Sequence, residues 1–508
     1  MTNSVFEDRK QPSYRRLEAT LGITSLFFIS LIIILSIFAP TLASLILITY
    51  SFMWLMKYSL NVIYTITTYK RMKRWQSIDI FRLLELIETD FDQAKKILEQ
   101  LAYKYKNKIE WKERIDSQIN QLSKNLNSKF AKPSNVFHIC NFAIYNESAK
   151  VLQESLQRIY ECNYNLSNVL VIVSQEERIG EEFNCNIRKI ISDLRWTQTH
   201  NINEIDHKDV LSKDLKNLKY SNLVLKKIHL SSSKLNIVFT QHPDGLTGEI
   251  KGKASNEDWG ARIASLILKS KKIDEDLAIV TSLDADSLLV PGFFHNLSYT
   301  FCTSPNRFQS GFQPIHSYSS NFFDTSLWPR QVATQTTLSN MTNLGISGET
   351  PFFAIYSVPL QVLYKVNFWE KELIAEDFLL FTKCLVKFDG GFQVYPFFGV
   401  FEGDAVIADD FIEEVIGQYK QLQRWAWGGV EAFPYMYKKF FIEPAGKNIP
   451  LRIRLRWIYL LFSNHFFWSS SPVLFSLGLF TSNIWRPKFS PTSNSSKLSY
   501  IFSIFCHH

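Results

Sequence analysis

Two long apolar stretches near the start of the chain set the first expectation. Residues 17–39 are almost wholly apolar until Pro40 breaks the run, and a second run covers residues 41–65. At 1.5 Å of rise per residue, a helix of either length crosses a hydrocarbon layer about 30 Å thick. Arg9, Lys10, Arg15 and Arg16 precede the first run and Lys70, Arg71, Lys73 and Arg74 follow the second, while the turn between them has no basic residue. Positive charge at both ends predicts a membrane hairpin with both ends cytoplasmic. A cleaved leader is disfavoured, because the first run is long, lacks a small-residue cleavage site and is followed by another. Residues 78–126 then place Ile80, Phe81, Leu83, Leu84, Leu86 and Ile87 at helical spacing, which predicts two or three amphipathic helices in a packing role.

After Pro133-Ser134 the pattern changes to short apolar runs at 136–140, 168–173, 235–239 and 277–283, with helical or polar stretches between them. Runs this short predict buried strands, and their alternation with helices predicts a doubly wound, mostly parallel sheet. Residues 184–233, rich in Lys, Asn and Ser, read as peripheral and helical in parts. Further on, residues 433–441 mix aromatics with lysines, which suits a membrane surface. Arg452, Arg454 and Arg456 precede another apolar span at 457–480, and a last apolar stretch begins near Leu498. The expected organisation is a cytosolic tail at 1–16, a transmembrane hairpin at 17–66, a cytosolic helical segment at 67–132 and an α/β domain at 133–432. An interfacial segment at 433–456, a transmembrane helix at 457–482 and a loop leading into a further helix at 483–508 complete it.

Composition narrows the classes. The 508 residues carry a formal net charge of only +8, and 15% are aromatic. That suits a membrane protein or one that handles sugars; with no long basic run interleaved with aromatics, nucleic acid is not expected as a partner. The six cysteines show no metal-type spacing and fit reduced thiols.

Candidate chemistry centres on Asp284-Ala285-Asp286, which ends the 277–283 run just before Pro291-Gly292. Alternate residues of an extended chain project to one side, so both carboxylates can aim at one point. Oxygen ligands at the carboxyl end of such a strand suit Mg²⁺ or Mn²⁺, which would clamp a diphosphate; an acidic turn is the plainer reading. Lys253 lies in a glycine-bearing stretch, Gly248-Glu249-Ile250-Lys251-Gly252-Lys253-Ala254-Ser255-Asn256, where backbone can approach a phosphate and the lysine supplies a point charge. Glu376-Asp377 at a helix start reads on its own as an acidic pair on the helix dipole. Gln421, Arg424 and Trp425 fall at i, i+3 and i+4, so one helix face presents an amide, a guanidinium and a flat ring. Trp369 reads as a sugar platform or a core aromatic, residues 345–353 as a wall of an acceptor pocket, and Gly403-Asp404-Ala405 as a loop that closes over a nucleotide.

In this order, Tyr145-Asn146-Glu147, Gly252-Lys253-Ala254-Ser255-Asn256, Asp284-Ala285-Asp286, Ala375-Glu376-Asp377 and Gln421-Leu422-Gln423-Arg424-Trp425 resemble the motifs of membrane-embedded family 2 glycosyltransferases, similar to the cellulose, chitin and hyaluronan synthases. The resemblance covers roughly residues 136–430. It implies an α/β GT-A domain with a mostly parallel central sheet flanked by transmembrane helices. It also implies inverting transfer from a nucleotide sugar, commonly UDP-linked, to a glycan or lipid acceptor, with Mg²⁺ or Mn²⁺. By the same resemblance Asp377 is the base, with Glu376 beside it, and Asp284 and Asp286 hold metal and diphosphate. Lys253, Gln421, Arg424 and Trp425 then bind diphosphate and sugar, and Tyr145 and Glu147 the nucleoside. Two positions depart from the pattern: Ser174-Gln175-Glu176-Glu177 stands where an aspartate holds the base, with Glu176 as the substitute, and Ala375 replaces a hydroxyl residue. Relatives typically continue with more membrane helices, so the chain looks truncated. The expected setting is a bacterial plasma membrane with the catalytic domain in the cytosol. The rivals are a single-addition transferase and a nucleotide-sugar-binding scaffold without activity.

Overall fold

The computed structural model describes residues 5–106, 108–145, 147–178, 199–205, 228–346 and 350–484. Asn146, most of 184–233, residues 347–349 of the expected acceptor wall, Cys185, Cys506 and the apolar stretch after Leu498 lie outside the described residues.

A short helix, α1 (Val5–Arg9), leads into α2 (Pro12–Phe38) and α3 (Pro40–Trp75), and a proline in the first turn of each long helix supplies the backbone angle a helix start needs. Both long helices are long and apolar enough to cross a membrane, and they turn Leu26, Phe27, Ile37, Phe38, Ile48 and Phe52 outward. The second runs nine residues past the expected end of the hairpin at 66, and it does so because the α/β domain holds it. Thr68 donates to the Met341 carbonyl at 2.6 Å and the Trp75 indole to Asn296 at 2.6 Å. Three amphipathic helices follow, α4 (Ile80–Thr89), α5 (Phe91–Lys104) and α6 (Ile109–Asn125), the first two capped by Asp79 and Asp90. Their apolar faces, including Leu83, Leu98 and Ile115, pack with Tyr299 and Phe398 of the domain.

The domain runs β1 (Phe137–Ile144), α7 (Ala149–Glu161), β2 (Val169–Glu176), β3 (His200–Ile205), β4 (Leu235–His242), α8 (Lys253–Lys271), β5 (Ala278–Leu283) and β6 (Leu288–Leu289). It continues with α9 (Phe293–Thr303), β7 (Ser310–Ser317), α10 (Leu327–Gly345), β8 (Tyr356–Pro359), α11 (Leu360–Val366), α12 (Glu376–Lys387), β9 (Gln393–Glu402), α13 (Phe411–Tyr437) and α14 (Leu451–Ile484). Among the described residues the strands form a nine-stranded sheet in the order β3-β4-β2-β1-β5-β8-β7-β9-β6. The first five are mutually parallel; β8 is antiparallel to both neighbours, and β7 pairs parallel with β9. All four expected strands are present. The edge strand β3 falls in the span expected to be partly helical, where its polar residues gave no strand signal.

Alternate residues of the parallel strands serve two cores. Ile139, Leu170, Val238 and Val280 meet α8 and α11, whereas Cys140, Val171, Ile237 and Ile279 join Leu156 of α7 and Phe294 of α9. Helix α8 is buried from Ala254 to Leu268, and Gly260 makes that possible. A Cβ there would meet the Asn141 Oδ1 at 2.3 Å and the Ser174 Oγ at 2.4 Å. The residues expected to lie at a membrane surface after 433 instead bury Phe433, Tyr435, Met436 and Phe440, the last two within the core beside α12. Aromatics and lysines share this stretch because the rings face inward while the lysines pair at the rim, as Lys439 does with Glu443 at 2.9 Å. Helix α14 returns along the hairpin, where the Tyr50 hydroxyl lies 2.8 Å from that of Ser470.

Candidate active site

The parallel strands β1, β2 and β5 end on one side of the sheet, and α8 starts there. Lys253 is the first residue of α8, so its ammonium faces the loop after β5. It lies 2.8 Å from Asp284 and 3.0 Å from Glu376, the first residue of α12, with Glu257 one helical turn on at 3.7 Å. Burial works against the charge, but the three carboxylates hold the lysine protonated well above its usual range. Glu257 is fully buried and accepts a hydrogen bond from Ser282; burial pushes its carboxyl up to about 8 against the pull of Lys253. Asn256 of the same motif is structural, bridging the ends of β1 and β2 through the Ile144 and Ser174 carbonyls at 3.2 and 2.7 Å.

Asp286, the second carboxylate of the pair, has different company. Burial, then Asp284, Asp404 and more weakly Glu147, raise it to about 7. The Tyr318 phenol is raised by burial and by the charges of Asp286 and Asp284, with Arg424 of α13 opposing. His316 lies beside them, stacked on Phe401 at 4.2 Å and driven by burial to about 3, hence neutral. The loop expected to close over a nucleotide is pinned in place: Ser320 donates to the Gly403 carbonyl at 2.8 Å, and Asn321 and Ala405 exchange two hydrogen bonds of 2.8 Å.

Asp377 follows Glu376 on α12. Its carboxylate accepts from its neighbour's N–H, that of Phe378, at 2.6 Å and from the Ala354 N–H at 3.3 Å. Ala354 adopts φ +50°, a left-handed conformation that is costly for alanine and here aims an N–H at the carboxylate. Burial, then the Glu376 charge, raises Asp377 to about 7, in the range of a general base.

At the ends of β1 and β2, the Tyr145 N–H donates to Glu147 at 2.7 Å. Glu176 pairs with Arg178, whose guanidinium lies 4.4 Å from the Tyr145 ring centroid. Tyr145, Glu147 and Glu176 thus gather at one rim, joined by an arginine that sequence reasoning missed. On α13, Gln421 accepts from Gln418 at 2.9 Å, while Arg424 and Trp425 are exposed. The helix passes beside the α12 start, where a Cβ at Gly428 would stand 3.5 Å from that of Ala375. Trp369 is no sugar platform: it is 3% exposed and donates to the Tyr356 hydroxyl at 2.7 Å within the core.

Among the described residues no three His, Cys, Asp or Glu side chains converge as a preformed metal cage. The donor set still fits a hard divalent cation. Two carboxylates from one strand end carry oxygen donors, and Asp286 is crowded by the negative charges of Asp284 and Asp404. Substrate oxygens would complete the coordination.

No curated protein matches the chain. Among solved structures, a mannosyltransferase from Pyrobaculum calidifontis, in complex with GDP-Man and Mn²⁺, is 14% identical with a TM-score of 0.43, covering 78% of this chain and 89% of its own. TarS of S. aureus (residues 1–349) is 8% identical with a TM-score of 0.31, covering 67% and 92%. GalNAc-T7 with UDP, GalNAc and Mn²⁺ is 10% identical with a TM-score of 0.31, covering 65% and 58%. The mostly parallel sheet, with paired aspartates at the end of its fifth strand, has the α/β arrangement that the motifs imply. Residues 279–506, from β5 onward, match the family model described as glycosyl transferase family group 2, so this part of the chain is similar to a family 2 glycosyltransferase domain.

Proposed function

We propose that the protein is an integral-membrane, inverting, metal-dependent glycosyltransferase. It transfers a sugar from a nucleotide sugar of the UDP class to an acceptor hydroxyl, in polysaccharide synthesis, with its α/β domain in the cytosol. The observation that carries this reading is the convergence of Lys253, Asp284 and Glu376, three motifs far apart in sequence, within 3.0 Å of one ammonium, with Asp377 next in line.

Tyr145, Glu147 and Glu176 would contact the nucleoside at the β1–β2 rim. Lys253 and Arg424 would hold diphosphate oxygens, and Gln421 and Trp425 the sugar. Asp377 would take the proton of the acceptor hydroxyl, whose oxygen attacks the anomeric carbon on the face opposite the leaving diphosphate, inverting that centre. Glu376 would keep the basicity of Asp377 high. Asp284 and Asp286 would hold Mg²⁺ or Mn²⁺, which when bound supplies positive charge to the departing diphosphate.

The test is nucleoside-diphosphate release from membranes carrying the protein, with a panel of UDP- and GDP-sugars, with and without Mg²⁺ or Mn²⁺. Metal-dependent release with one donor, lost in Asp377→Asn by about 10²- to 10⁴-fold, is the expected result. Product length then separates a polymerase from a single addition to a lipid or short glycan. Nucleotide binding without turnover of any donor would leave a non-catalytic scaffold.

A further inference from the structure

We infer that the segment ahead of the first apolar helix is a strap that positions the loop bearing Glu376 and Asp377, acting through the buried carboxylate of Glu431. The inference rests on the reading of Asp377 as the general base.

Glu431 lies on α13 and is 2% exposed. One oxygen accepts from the Ile374 N–H at 2.9 Å; the other accepts from the Trp427 indole at 3.0 Å and meets the Arg9 guanidinium at 3.1 Å. The Ile374 carbonyl in turn accepts the Glu376 N–H at 2.8 Å. Only two residues, Glu431 and Ile374, therefore stand between Arg9, at the end of α1, and the start of the helix that carries Asp377. The loop is tied a second time where the Tyr435 hydroxyl donates to Glu370 at 3.0 Å.

The strap is itself fixed on three sides. Arg9 bonds Glu18 of α2 at 2.8 Å, and Asp8 pairs with Lys438 beyond α13. Tyr14 is buried with Leu373, Leu379 and Tyr435, with Ala375 packed against the cluster. The same few residues thus touch the membrane-hairpin helix, the Gln421–Trp425 helix and both flanks of the Glu-Asp turn. A buried carboxylate is a costly way to fill this space, since apolar side chains of similar volume often pack there with equal or better stability. What it adds is direction: it aims one backbone N–H, and so fixes the register of a turn whose neighbour must meet an acceptor oxygen.

The experiment uses the full chain in lipid nanodiscs with two readouts, hydrogen–deuterium exchange at residues 374–378 and nucleoside-diphosphate release. Arg9→Ala and Glu431→Gln are expected to speed exchange in that loop while β1, β2 and β5 stay protected. They should lower kcat by about tenfold to a hundredfold with donor KM within about twofold, the scale of a small misplacement of a reacting group. Arg9→Lys, which keeps the charge, should recover most of the loss. Unchanged exchange in Arg9→Ala, or faster exchange with kcat intact, overturns the inference. So does a loss that follows only the fraction of folded protein, judged by Tm, with no recovery in Arg9→Lys. If the wild-type chain releases no diphosphate, the transferase reading fails instead, and exchange still decides whether the strap holds the loop.

Discussion

The two flanks of the candidate site solve the same electrostatic problem in opposite ways. On one, three carboxylates share the ammonium of Lys253, so the charges are answered within the protein. On the other, Asp286 sits partly buried with Asp284 and Asp404, and its carboxyl rises to about 7. The first flank answers its charges around one cation, which a diphosphate would have to share. On the second, among the described residues no cation pairs directly with Asp286, and that is where a divalent cation and a diphosphate would go. One flank is thus answered and the other starved, and a ligand that brings its own cation would suit the second.

The largest expected effect breaks the starved flank. Asp286→Asn should cut turnover by about 10²- to 10³-fold, as loss of one stabiliser of developing charge does, and abolish the response to Mn²⁺ in a metal titration. Next, Lys253→Met should strip the answered flank of its cation and lower stability by about 3 kcal/mol, read as a fall in Tm; Glu257→Gln in the same chain should restore part of it. The two flanks should then differ in sign. In metal-free protein Asp286→Asn removes an unanswered charge, so Tm should hold or rise. The pH dependence follows the same logic. A carboxyl raised to about 7 in the folded state keeps a proton that the unfolded chain releases near 4, so stability contributed by Asp286 is present below that range and lost as pH rises through 7. Added Mn²⁺ should flatten that slope, and equilibrium unfolding at several pH values measures it. The smallest effect sharpens the picture at the base. Turnover should rise with pH through about 7 as Asp377 loses its proton, and Glu376→Gln, by removing a neighbouring negative charge, should move that midpoint down.

The parallel half of the sheet was legible because β1, β2, β4 and β5 are buried on both faces and therefore read as apolar runs. The half formed by β6 to β9 was not. Leu288–Leu289 is two residues long, and Ser310–Ser317 mixes Gln, Pro and His with its apolar positions. In the site, residues carried by linear motifs could be named, and those whose role arises from packing could not. Glu257 looks like an ordinary i+4 partner of Lys253 until α8 is seen buried on nearly every side. Arg178 follows a strand end in a turn where an arginine is unremarkable. Ala354 contributes through a positive φ, which its identity does not advertise, since glycine is the residue that signals it. One signal was readable and passed over: Glu431 stands alone among glycines and aromatics, where a lone carboxylate must find a partner.

The continuity of α3 has a consequence of scale. Its 36 residues make a rod about 54 Å long, of which a bilayer would occupy about 30 Å. The remainder is bolted to the domain, with Gly345 so close to the Tyr64 backbone that a Cβ would stand 2.6 Å from its carbonyl oxygen. Were the helix to span a bilayer, rod and domain packed this closely would tilt together, and the height of Asp377 above the lipid would follow the tilt of this helix. A thinner bilayer tilts a long helix further. In such a membrane the whole site would lean, and the depth from which it can draw an acceptor would change with no residue altered.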